Sequence, residues 1–304
     1  MTKRARQDGE FILNSVEDFL ALEDTPQGHV SILSGGAYID LYVEPCEDSR
    51  SIIFCFHGAI DPETRLPYFL GRGVTSGLPA TRVFVSDPSL IEDTSFSLGW
   101  YLGSPAQPRL VDDLCLIFNK LCLLSRSVHK IFFGSSGGGF AALQFSRFFP
   151  GSLALPMNPQ TDLLMHRQSQ TGRFTRAVWG KESIEEMRFD LPVNLVHLYA
   201  MGSPNTVGYI QNCNDWFHIQ KHQVPFMRVH GSSDRVFMLM DRWGNGQGLG
   251  HDPAPKDVVR SILVATATAN GSWATALRAT GFSHETSTAE ISATLKRKPH
   301  PDRN

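Results

Sequence analysis

Residues 130–143 read "KIFFGSSGGGFAAL", three apolar residues run into two serines and four glycines, followed by helix formers. Three arrangements put such a knot between a buried strand and a helix: a flexible linker, a phosphate-cradling loop, or a cramped turn that lifts one serine above a sheet. The phosphate loop lacks the lysine of GxxxxGK[ST], and GxGxxG is absent as well. Gly134-Ser135-Ser136-Gly137-Gly138 does fit G-x-S-x-G, in the strand-to-helix setting that this pattern requires. A turn this tight needs small residues two before and two after the raised serine. Ser136 has Gly134 and Gly138 there, whereas Ser135 has Phe133 at its minus-two position, so Ser136 is the candidate nucleophile. A glycine loop that only lets helix and strand pack closely is the plain alternative.

Outward from the knot, "SIIFCFHG" (51–58) and "TRVFVSDPSL" (81–90) are continuous apolar runs of the kind buried on both sheet faces. Apolar residues at helical spacing in "PRLVDDLCLIFNKLCLLSRSVH" (108–129) predict a helix with Pro108 in its first turn. After the knot come a helix stopped by Pro150-Gly151, a strand "SLALPMN" and a mixed segment 160–203. Then follow a strand "TVGYIQN", a helix running up to Pro225, a strand "RVFMLM" and a helix from Pro255. Gly35-Gly36 splits "HVSILSGGAYIDLYVEP" into a hairpin. Strands alternating with helices argue a mostly parallel sheet covered on both faces, with ligands gathering at the carboxyl ends of the strands.

A raised serine needs a base, and the base needs an orienting carboxylate. His251 lies in a glycine-rich loop after the last strand and just before a helix. Asp215 follows "TVGYIQN" and ranks ahead as the acid. Asp234, in "HGSSDRV", is the alternative if "PFMRVHG" is a strand rather than part of a helix. Two backbone amides, of Gly137 at the helix start and of Ala59 after the strand ending in His57-Gly58, form the expected oxyanion hole. His57 is expected to brace that turn rather than to act as the base.

Composition bounds the partners. A net charge of −2 provides no general basic field, so nucleic acid is not expected. No apolar run approaches the roughly 20 residues of a membrane span, and "MTKRARQDGEFILNSVEDFL" holds no apolar run long enough for a signal peptide, so neither is expected. Five cysteines, mostly in apolar segments and without metal spacing, suggest free thiols in a reducing cytoplasm, and no metal or other cofactor is expected.

The motifs "HGA" (57–59), "GSSGG" (134–138), an acid after the next-to-last strand and "GH" (250–251) resemble the α/β-hydrolase superfamily, in its order Ser, Asp, His. The resemblance covers about residues 28–268. It implies a central sheet of about eight strands with a helical cap inserted at about 160–203. It leaves 1–27 as an N-terminal extension and 269–304 as a partly disordered tail. "HGAI" departs from the HGGG type of some esterases. The implied activity is cleavage of an ester or thioester through an acyl-enzyme, with substrates such as a small acyl ester, thioester or acylated glycan. An acyltransferase on the same triad and a non-catalytic binding or scaffold protein are the alternatives. Arginines in "RQSQTGRFTR" suit an anionic group, and Trp100 and Tyr101 serve either as aromatic walls or as core.

Overall fold

The computed structural model describes residues 9–90, 96–244 and 250–284. Nine strands form one sheet: β1 (Phe11–Leu13), β2 (Gly28–Ser34), β3 (Ala37–Glu44), β4 (Ser51–Phe56), β5 (Thr81–Val85), β6 (His129–Ser135), β7 (Leu153–Met157), β8 (Thr206–Asn212) and β9 (Val236–Asp241). Their order is β1-β2-β3-β5-β4-β6-β7-β8-β9. β3 runs antiparallel to both neighbours, and every pair from β5 across to β9 is parallel. The carboxyl ends of β4, β6, β7, β8 and β9 therefore share one edge.

Alternation along the strands feeds two faces. Phe54, Phe56 and Phe132 pack with Phe118, Phe145 and Phe19 under the helices Leu110–Leu124 and Gly137–Ser146. Ile53, Cys55 and Phe133 pack with Leu263 and Leu277 under the helices Lys256–Ala267 and Trp273–Ala279. A third apolar cluster, with Trp100, Phe140, Phe174 and Phe226, sits over the carboxyl edge. Between β7 and β8 the chain makes only short helical pieces, at Leu163–Met165, Gln168–Phe174, Thr175–Trp179, Ile184–Met187 and Leu195–Ala200. Among the described residues no helix is long and apolar enough to cross a membrane.

Three expectations change, and one open alternative closes. The ninth strand is β1, too short for its alternation to be legible. It pairs with β2 (Ile12 opposite Ser31), and Phe19 from the same N-terminal segment is fully buried, so residues 9–27 are part of the sheet domain. The start of the tail holds a helix, Trp273–Ala279, packed on the sheet domain. A Ser/Thr/Ala-rich composition hid Trp273 and Leu277, four residues apart on one helix face and both buried, and Ser283 bridges to Met238 on the edge strand. Residues 285–304, including the basic end, lie outside the described residues. The third change concerns Pro225, which does not end its helix. A wide turn at Ile219–Gln223 precedes it, with the Val224 N–H reaching Ile219, and the helix continues to His230. "PFMRVHG" is thus helical. Last, Trp100 and Tyr101 are both fully buried, which places them in the core rather than on a pocket wall.

All five cysteines are free thiols, and burial pushes Cys115 and Cys122 up to about 12.

Candidate active site

Ser136 stands between β6 and its following helix at φ 57° and ψ −118°, a left-handed conformation that a serine adopts only when its surroundings force it. Its N–H is held by the Met157 carbonyl at 2.8 Å. The neighbouring glycines leave no alternative. A Cβ on Gly138 would lie 2.3 Å from the Phe56 carbonyl oxygen, and one on Gly134 would lie 2.3 Å from that of Gly138. Both obstacles are backbone, so neither can give way.

The turn after β4 abuts this elbow: a Cβ on Gly58 would come within 3.3 Å of Ser136 Cβ and 3.7 Å of Gly137 N. His57 is fully engaged there. Its Nε2 accepts from Asp87 N–H at 3.0 Å and its Nδ1–H donates to the Gly58 carbonyl at 2.7 Å. That leaves a neutral ring with both nitrogens occupied, and burial pushes its pKa down. The hydroxyl of Tyr101 accepts from His57 N–H at 2.9 Å and donates to the Val85 carbonyl at 3.1 Å.

Asp215 is 1% exposed and caps the short helix that starts at Trp216, accepting from His218 N–H at 3.2 Å. His251 Nδ1 donates to its Oδ2. A second histidine, His218, places Nδ1 2.9 Å from each carboxylate oxygen. Burial pushes the Asp215 carboxyl up, but the hydrogen bonds from His218 and His251 outweigh it and hold the group well below the usual carboxylate range. The two imidazoles stack at 4.1 Å between centroids and 18°. Asp234, by contrast, is exposed at the N-terminal end of β9, on the edge of the sheet away from Ser136.

The loop carrying His251 is tied down. Gly250 has φ 74° and packs so closely that a Cβ would lie 2.1 Å from the Asn214 carbonyl oxygen. The side chains of Asn158 and Asn212 donate to the Asp252 carbonyl at 3.1 and 3.0 Å. Residues 245–249 lie outside the described residues. A cavity of about 220 Å³ joins Ser136, Ala59, Asp215, His218 and His251, with Arg167 also on its wall. Arg167 lies over the Phe217 ring at 4.8 Å. Among the described residues, His251 Nε2 has no hydrogen-bond partner. Ser136 Oγ instead accepts from Gln160 Nε2, at 2.8 Å.

Gln160 and His218 join the expected residues only in the structure. His218 had a local signal, three residues beyond Asp215 on one helix face. Gln160 follows the end of β7, the position where chemistry gathers, but nothing in its type marks it.

The ring nitrogens of His166, His218 and His222 lie within 4.8 Å of one another, as a metal site would need. Each already has a hydrogen-bonding role. His222 Nδ1 accepts from Thr161 N–H, so its Nε2–H donates to His166 Nδ1, and the His166 Nε2–H donates to Gln170 Oε1 at 2.6 Å. A cation would have to break this chain, which fits a metal poorly.

No family model matches this sequence, and no curated protein does. Solved structures do match. The capsule O-acetyltransferase of Neisseria meningitidis serogroup A superposes with a TM-score of 0.57 at 12% identity, over 82% of this chain and 94% of that one. A glycosylation-associated protein (Gap123) complex from Streptococcus agalactiae gives 0.51 at 15% identity, over 71% and 42%. The acylaminoacyl peptidase of Pyrococcus horikoshii gives 0.50 at 14%, over 81% and 42%. The mostly parallel sheet, the raised serine between β6 and its helix, and these superpositions together give the chain the α/β-hydrolase fold.

Proposed function

We propose that this protein is a serine-dependent acyl-transfer enzyme, with Ser136 as nucleophile, His251 as general base and Asp215 as the orienting acid. The observation that carries it is Ser136 in its strained elbow, sharing one cavity with a histidine whose Nδ1–H is held by a buried carboxylate. His251 Nε2 takes the Ser136 proton as Oγ adds to the acyl carbonyl. The amides of Ala59 and Gly137 receive the oxyanion, and His251 then protonates the leaving alcohol or thiol. Water completes hydrolysis of an ester or thioester, and His251 activates it in turn. A sugar hydroxyl in place of water makes the same site an acyltransferase, a variant supported by the likeness to a capsule O-acetyltransferase. The cavity, at about 220 Å³, is below the ~300–1,000 Å³ of common ligand pockets, which favours a short acyl group.

The test is covalent labelling of the folded protein with a fluorophosphonate probe, beside turnover of p-nitrophenyl acetate and acetyl-CoA. Labelling of the wild type that vanishes in Ser136→Ala is the expected result. A folded wild type that neither labels nor turns over either acyl donor would overturn it in favour of a binding or scaffold role.

A further inference from the structure

The hydrogen bond on Ser136 Oγ does not come from either histidine, and its donor is held in place from three sides. Gln160 is 2% exposed, and its Nε2 lies 2.8 Å from Ser136 Oγ and 3.0 Å from His218 Nε2. A side-chain amide can present either end, so its direction must be set by a partner of fixed polarity. That partner is Trp100: its indole N–H can only donate, and it lies 3.1 Å from Gln160 Oε1. The amide NH₂ therefore faces Ser136 and His218. His218 Nε2 must accept, so this ring is neutral and carries its proton on Nδ1, toward Asp215. Burial also pushes His218 down, consistent with a ring that stays neutral.

Trp100 is itself in an uncommon place. It and Tyr101 have φ of 53° and 58°, two consecutive left-handed aromatic residues. The buried carboxylate of Asp87 holds that turn, accepting from Gly99 N–H at 3.2 Å and Tyr101 N–H at 3.1 Å. From one strained turn, Tyr101 reaches the His57–Ala59 turn and Trp100 reaches Gln160.

We propose that Gln160 is a catalytic hydrogen-bond donor to Ser136 Oγ, and that Trp100 and His218 are positioning residues that fix the direction of its amide. The proposal rests on Ser136 being the nucleophile. Negative charge builds on Oγ as its proton passes to His251, and builds there again when Oγ departs from the acyl-enzyme. The Gln160 N–H stabilises that charge in both steps while forming no covalent bond and giving up no proton. Because it donates to Oγ, it also leaves the serine hydroxyl proton free to point at His251.

The experiment uses the full chain: fluorophosphonate labelling rates at pH 7.5 for the wild type, Gln160→Ala, Gln160→Glu and Trp100→Phe, with thermal melting of each. Gln160→Ala is expected to label about 10- to 100-fold more slowly, the worth of one hydrogen bond to a charged oxygen. Gln160→Glu, although nearly isosteric, should be slower still, because its carboxylate accepts a hydrogen bond from the Ser136 hydroxyl where the amide donated one, and repels the negative charge that builds on Oγ. Trp100→Phe, with an amide free to turn, falls between the wild type and Gln160→Ala. A glutamate variant that is folded and faster than the alanine variant would mean that Gln160 only fills space, and would overturn the proposal. Nitrogen-15 spectra of the wild-type histidines need no variant: His218 is expected as the neutral Nδ1–H tautomer, and a proton on its Nε2 refutes the assigned direction. A wild type that never labels refutes the nucleophile instead, whatever tautomer the spectra report.

Discussion

Asp215→Asn removes a charge while hardly changing shape, and the hydrogen-bond polarity around it makes its consequence specific. Oδ1 receives the His218 backbone N–H at 3.2 Å and its Nδ1–H at 2.9 Å, so the asparagine oxygen must take that position. Its NH₂ then faces His251 Nδ1, where a donor now sits. Turning the amide around would forfeit the bond from the His218 backbone N–H, at about 0.5–1.5 kcal/mol, and leave that buried N–H facing another donor, at about 1–3 kcal/mol more. Reversing the His251 tautomer costs less. The ring then carries its proton on Nε2, where it cannot accept one from Ser136. A tautomer error of this kind lowers turnover by ~10⁴. Asparagine caps a helix as well as aspartate, so the melting temperature should stay within about 5 °C of the wild type. The assay is the labelling rate at pH 7.5 beside thermal melting. A folded Asp215→Asn protein labelling within about tenfold of the wild type would refute the assignment of both the acid and the base.

Two further outcomes test the architecture. Burial lowers His166 from the usual 6.5 to about 4, and it lowers His218 and His222 as well. The unfolded chain binds protons at these rings before the native one does, so stability is full above pH ~6.5 and falls as the pH drops toward 4. His166 alone contributes on the order of 3 kcal/mol to that loss, and chemical denaturation at pH 7.5 and 4.5 measures it; equal stability at both would mean that the rings are not held neutral. Leu277→Ala should cost about 2–5 kcal/mol in the same experiment, since Leu277 is fully buried against the sheet; a change under 1 kcal/mol would detach the Trp273–Ala279 helix from the fold.

Much of the proposed site's outline was legible along the chain because its signals are local. The glycines at 134 and 138 mark a turn whose steric demands are met within five residues, which is enough to choose Ser136 over Ser135. Asp215 and His251 were legible as residues following strands, and "PFMRVHG" was the one segment whose ambiguity kept Asp234 open. Its helical form, carried through Pro225 by the wide turn before it, leaves Asp234 at the N-terminal end of β9, away from Ser136. The composition of the tail hid the helix Trp273–Ala279 because two anchors on one face, Trp273 and Leu277, outweigh many small residues around them.

What the sequence by itself determined is the alternation of strand and helix, the two buried faces of the sheet and the raised serine, because strand burial and turn sterics are written over a few neighbouring residues. Only the tertiary structure decided which nitrogen of His218 carries a proton and what touches Ser136 Oγ. Those depend on Trp100, Gln160 and His218, which lie 60 and 58 positions apart along the chain and meet only when the carboxyl edge of the sheet is assembled. Hydrogen-bond polarity passes from a donor-only indole through an amide to an imidazole, and no local pattern of residues encodes such a relay.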